Sequence, residues 1–144
     1  MKTLLVPIDS NKEGDLVASK AIEIASAFEA KVHLVHVTSV SNKDVFDEGI
    51  EYIPQEAMND YDKEMTTLNE FKARFSEAGI LCEAHLLQGI PQKQILKLAE
   101  SINADLIILG LINHSTLYKV FVGSVSNEVI KGTKTSVLLV PPKK

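Results

Sequence analysis

The residue types and spacings best suited to chemistry lie between Gly110 and Ser126. An apolar run, Leu106-Ile107-Ile108-Leu109, reads as a strand and stops at Gly110. After a long connection, Gly123-Ser124-Val125-Ser126 opens a predicted helix. Small residues at a helix start let the first backbone N–H groups approach an anion, and the helix dipole favours negative charge there. The pattern predicts a phosphate cradle, preceded by a connection, Leu111–Val122, long enough to act as a lid. Within it, His114 and Lys119 are read either as cations for phosphate or as solvated loop charge, and Phe121 and Val122 as anchors to the core.

Other reactive side chains give weaker signals. His33 and His36 stand in one predicted strand at odd separation, so they face opposite sides and cannot share a metal within it. His85 reads as isolated, metal-ligand spacing is absent, and no nucleophile–base pair stands out, so neither a catalytic residue nor a metal ligand is assigned. Cys82, in an alternating apolar run, reads as an inert thiol.

The elements that must position the cradle follow from hydrophobic period. Leu4-Leu5-Val6-Pro7-Ile8-Asp9 is a continuous run suited to a strand covered on both faces. Ser10 and Glu13 have capping-box spacing, and Val17, Ala21, Ile24 and Phe28 line one face of a first helix. Lys31 to Val37 is a second strand, and the polar stretch from Thr38 to Pro54 a loop. Ala57, Tyr61, Met65, Leu68, Phe71, Phe75 and Ala78 keep helical spacing up to Gly79. Leu81–Leu87 is a third strand. Gly89-Ile90-Pro91 then starts a helix with Ile95, Leu98, Ala99 and Ile102 on its apolar face. Asp105–Gly110, a short helix Ser124–Lys131 and a last strand Ser136–Val140 complete a βαβαβαβαβ order, which implies an α/β fold with a parallel sheet between two helical layers.

Composition bounds the function. The 144 residues form one domain, 1–144, with 45% hydrophobic and 24% charged residues, ordinary for a globular protein. The net charge of −4 and the absence of a basic stripe argue against a nucleic-acid partner. A single cysteine cannot form an internal disulfide and fits a reducing, cytoplasmic setting. No apolar segment approaches the ~20 residues of a membrane span, and the apolar N-terminal run is too short for a secretory signal.

Four features carry a family resemblance: Leu5-Val6-Pro7-Ile8-Asp9, Gly89-Ile90-Pro91, Gly110 with Gly123-Ser124-Val125-Ser126, and the closing Ser136-Val137-Leu138-Leu139-Val140-Pro141. In order and spacing the chain resembles the universal stress protein family over essentially its whole length. The ATP-binding branch of that family carries Gly, two residues, Gly, nine residues, Gly, then Ser or Thr. Gly110, Gly123 and Ser124 match it, and Asn113 replaces the middle glycine. The resemblance implies a three-layer, five-stranded sheet of order 3-2-1-4-5, of the adenine nucleotide alpha hydrolase-like type, with dimerisation through the last strand. It also implies an adenine nucleotide, ATP or AMP with Mg²⁺, near Pro7, Asp9, Val37, Gly110, Asn113, Gly123, Ser124, Val125 and Ser126.

In that order, strands one and four are neighbours at the switch point, where open α/β sheets bind ligands. Asp9 then either contacts a nucleoside hydroxyl or base amine, or caps the helix after it. Gly110 either admits a ligand to the backbone or makes a strand-end turn. If the missing glycine served a positive φ, Asn113 is the next best residue; if it served space beside phosphates, Asn113 blocks the site. Receiver, flavodoxin, nucleotidyl-transferase and P-loop readings fail on absent motifs. Two expectations remain: a cytoplasmic, dimeric, nucleotide-binding regulatory module that is not an enzyme, or a dimeric interaction module without nucleotide. Slow hydrolysis is a third, weaker option, with no water-activating residue identifiable.

Overall fold

The computed structural model describes residues 1–8, 12–38, 55–114, 119–121 and 123–142; of these, the side chains of 12–13, 55–60, 112–114 and 119–121 are not described. The elements are β1 (Thr3–Pro7), α1 (Lys12–Phe28), β2 (Lys31–Thr38), α2 (Gln55–Glu77), β3 (Cys82–Gln88), α3 (Pro91–Ser101), β4 (Leu106–Gly110), β5 (Ile112–His114), β6 (Lys119–Phe121), α4 (Ser124–Gly132) and β7 (Ser136–Val140). Five strands form one sheet of order β3-β2-β1-β4-β7, and every pairing in it is parallel. This is the predicted 3-2-1-4-5 arrangement.

The continuous apolar runs are strands because both of their faces are covered. Leu4, Leu5 and Val6 are all fully buried. Leu4, Val6, Val32 and Leu34 face α1 and α2, where Val17, Ala21, Leu68 and Phe75 complete a core. Leu5, Val35, Ile107 and Leu109 face α3 and α4, against Ile95, Ala99 and Val129. The helical layers on either face give the three-layer architecture. Arg74 pins α2 to α1, its guanidinium 2.9 Å from the Asp15 carboxylate and stacked over Phe71.

Three expectations need correction. The buried stripe of α1 is Val17, Ala18, Ala21 and Ala25, and Phe28 is 55% exposed. Small alanines fill much of that face, Ile24 packs against the core while partly buried, and Phe28 falls outside it. The connection after β4 is not simply a loop, because its described parts are antiparallel strands, with Ile112 opposite Phe121, Asn113 opposite Val120 and His114 opposite Lys119. Runs of three residues are too short to show a strand period. Thirdly, His85 is not isolated: its Nε2 lies 2.9 Å from Nδ1 of His33. Parallel pairing of β2 with β3 joins positions that no local spacing reveals. Residues 115–118 and 122, the polar stretch 39–54, and Asp9, Ser10 and Asn11 lie outside the described residues.

Candidate functional site

Parallel pairing puts the carboxyl ends of all five strands on one edge. β1 lies between β2 and β4, so Pro7 at the end of β1, Val37 near the end of β2 and Gly110 at the end of β4 share that edge. There the chain leaves β1 for a helix on one face and β4 for a helix on the other, the crevice typical of ligand sites in such sheets. α4 runs back from this edge to the start of β7, so its N-terminus opens at the same edge.

The start of α4 has the features expected of an anion cradle. Gly123 is its N-cap with extended backbone (φ −67°, ψ 164°), and no side chain caps the first turn. The first closed turn is Asn127 N–H donating to the Gly123 carbonyl at 2.9 Å, which leaves the amides of Ser124, Val125 and Ser126 without intrahelical acceptors. No acidic residue occupies that turn to repel an anion. Ser124 is exposed and Ser126 half-buried, whereas Val125 packs into the core with Val129. Val125 therefore offers backbone, not side chain. The negative φ of Gly123 is open to any residue, so glycine is not required here for left-handed backbone.

Asn113 lies in the middle of β5, paired with Val120. Strand backbone is extended, so this position does not call for a left-handed conformation. Side-chain volume is what remains to distinguish asparagine from glycine there. Asp9, the predicted partner of a nucleoside hydroxyl or base, lies outside the described residues.

One residue that the sequence did not mark supports this edge. Ile8 N–H donates to the Val35 carbonyl at 2.8 Å, extending the β1–β2 ladder by one bond. The Ile8 carbonyl then accepts from Nδ1 of His36 at 2.9 Å, while His36 Nε2 lies 3.4 Å from the Glu64 carboxylate on α2. A carbonyl only accepts, so Nδ1 carries the hydrogen. His36 thus fixes the chain direction just before Asp9. The available signal was its place in β2, one residue beyond the Pro7–Val35 pair.

His36 faces α2, and His33 faces the α3/α4 side, as their odd separation predicts. Burial, then the nearby His85, hold the His33 imidazole below its ordinary value, with Lys31 adding to this and Glu83 opposing it. The half-buried Cys82 thiol is pushed up to about 11, chiefly by burial, so it stays protonated and unreactive near neutrality. Among the described residues, no helix is long and apolar enough to cross a membrane.

Comparison with known proteins agrees with this architecture. The model of the universal stress protein family matches residues 1–141. A universal stress protein of Methanocaldococcus jannaschii is 32% identical over 145 residues, covering 99% of this chain and 84% of that protein. A second from the same organism is 24% identical, covering 99% and 96%. Among solved structures, a universal stress protein from Archaeoglobus fulgidus superposes with a TM-score of 0.75 at 22% identity, covering 97% of this chain and 98% of that one. A universal stress protein in complex with cAMP gives 0.68 at 25% identity, covering 97% and 96%. A universal stress protein from Archaeoglobus fulgidus in complex with dAMP gives 0.69 at 21% identity, covering 97% and 98%.

Proposed function

The chain belongs to the universal stress protein family, and on that premise we propose that it is a small regulatory module that binds ATP, or a related adenine nucleotide such as AMP, at the carboxyl edge of its sheet. The observation that carries this reading is the start of α4: an extended glycine N-cap, no side-chain cap and three first-turn amides, opening at the edge where β1 and β4 part. The cAMP and dAMP complexes of relatives support an adenine nucleotide as the ligand class.

In this reading the amides of Ser124, Val125 and Ser126 hold the phosphate tail with Mg²⁺, Gly110 and Gly123 let backbone lie close to it, and Pro7, Asp9 and Val37 border the nucleoside. Asn113 stands beside the phosphates on the hairpin arm. The output is a changed surface for a protein partner, not fast chemistry, because no water-activating residue is evident beside the cradle in the sequence. The module works in the cytoplasm, where a lone protonated thiol such as Cys82 is stable.

The module acts as a homodimer through Ser136–Val140. β7 is an edge strand, bonded only to β4 within the sheet, and Val137, Leu138 and Leu139 on it are only partly buried. An apolar edge with unpaired backbone groups is a template for a second chain, and two-fold pairing closes it.

Calorimetry with ATP and Mg²⁺ on the native chain and on Gly123→Val tests the nucleotide. A valine at the N-cap sets branched methyl groups where the phosphates must approach, so affinity is expected to fall by at least about tenfold. Equal heats for the two proteins overturn the cradle.

A further inference from the structure

At the amino-terminal end of β2 and β3, far along the strands from the nucleotide edge, three ligating side chains meet. The parallel register sets His33 beside Glu83 and Val35 beside His85. Positions 33, 83 and 85 therefore project from the same face, the one that α3 and α4 cover. His33 Nδ1 is 2.9 Å from His85 Nε2 and 3.3 Å from Glu83 Oε2, and one ligand atom from each residue falls within 4.8 Å of the others. The imidazoles are stacked 5.2 Å apart at 20°.

We propose that His33, His85 and Glu83 form a binding site for a divalent transition-metal cation of the zinc class. Three atoms able to offer lone pairs converge, and a proton held between two of them leaves the third facing a lone pair. A metal cation engages all three. Two imidazole nitrogens with one carboxylate oxygen are the donor set of zinc, with water as fourth ligand, and they select against magnesium and calcium, which prefer oxygen. Ligands about 2.0–2.1 Å from zinc at tetrahedral angles lie about 3.3–3.4 Å apart. The His33–Glu83 separation already matches, and the two rings need to part by roughly half an ångström, within ordinary side-chain adjustment.

The surroundings suit a site that fills from solvent. His33 is 6% exposed and gives a fixed inner ligand, His85 is half-buried, and Glu83 stands at the surface. Lys31 lies 3.4 Å from the other oxygen of Glu83 and holds the carboxylate in place while competing for its charge. Cys82 packs on the opposite face, against the α1/α2 core, and is not a ligand.

Zinc chloride titrated calorimetrically into the full chain, after chelator treatment, tests the proposal. One zinc per chain is expected, at about 10 µM or tighter. Loss of a partner one shell further out typically costs 10–100-fold, so His85→Ala, which removes a ligand, is expected to weaken binding by about 100-fold or more. Lys31→Gln is expected to tighten it, and Cys82→Ser and His36→Ala to leave it unchanged. ¹⁵N spectra of the native chain provide a check that needs no variant to fold: zinc should shift His33 Nδ1 and His85 Nε2 together, saturating at one equivalent. Absence of saturable binding, undiminished binding by His85→Ala, or shifts confined to His36 or His114 overturns the site.

Discussion

Gly89 donates its backbone N–H to the carbonyl of Thr38 at 3.0 Å while holding φ at +134°. One bond therefore ties the carboxyl ends of β3 and β2 at the edge read as the nucleotide site, through a backbone conformation that L side chains rarely adopt. Gly89→Ala is expected to destabilise the fold by about 1–3 kcal/mol in urea unfolding. A Cβ there would also stand 3.0 Å from Gln94 Nε2, the end of a flexible side chain. If backbone strain dominates, Gln94→Ala in the same chain restores little of the loss. Full restoration would assign the cost to crowding instead.

Asn113 decides how much of the family's glycine pattern matters here. Its strand pairing with Val120 removes the conformational reason for glycine. Side-chain volume is then the remaining difference, so Asn113→Gly is expected to tighten ATP binding in calorimetry by about tenfold, roughly 1.4 kcal/mol. An unchanged affinity would show that the carboxamide leaves the phosphates clear.

The His33 imidazole predicts the direction of a pH effect. Its value is lowered from the ordinary 6.5 by burial, with His85 second. The unfolded chain then binds the proton more readily than the folded one, so stability falls as pH falls wherever unfolding takes up a proton. The contribution is complete above pH 6.5 and is lost as pH drops through the lowered folded value. Urea midpoints of the metal-free chain are expected to be level from pH 8 to pH 7 and to fall below about pH 6.5, less steeply in His85→Gln. A midpoint that rises as pH falls across that window contradicts the assignment.

Asp105 predicts a different window. Its Oδ2 accepts from the amides of Lys2 and Thr3 at 2.8 and 2.9 Å, clamping the start of β1 to the start of β4. These bonds hold its carboxyl below the ordinary range. The contribution is present above the unfolded carboxylate value, near 4, and is lost as pH falls below it. Asp105→Asn is expected to lower the thermal midpoint at pH 7 and to bring it nearer the native chain's below pH 4. A deficit that stays the same at both pH values rejects the clamp.

Local pattern revealed most of this fold, and the exceptions share a cause. Leu4-Leu5-Val6 reads as a strand covered on both faces and Leu106-Ile107-Ile108-Leu109 as a strand because short unbroken apolar runs suit the middle of a parallel sheet, where both runs are buried. Gly123-Ser124-Val125-Ser126 read as a helix start because small polar residues cap there. The His33–His85 contact and the Asp105 clamp were not legible, since each depends on strands far apart in sequence meeting in a definite register. The hairpin strands are too short to show a period, and the helical spacing that includes Phe28 does not reveal that alanines line the inner face of α1. At the site, Pro7, Val37, Gly110 and Gly123–Ser126 come to the expected edge, while the support from His36 follows from the β1–β2 register.

The open edge of β7 gives a test of assembly that spares the fold. The Val140 carbonyl accepts from Leu111 N–H at 2.8 Å, so the backbone groups of Val140 point toward β4. Alternation along the strand turns the N–H and C=O of Val137 and Leu139 outward. Val137→Pro therefore removes a donor that only a second chain would use, at an edge position where proline is tolerated. Ser136 before it is already in extended backbone, which proline requires of its predecessor. The native chain is expected to sediment as a dimer at micromolar concentration, and Val137→Pro as a monomer with unchanged far-ultraviolet circular dichroism. A native monomer excludes this interface, and a dimer that survives the substitution places the contact away from the β7 ladder.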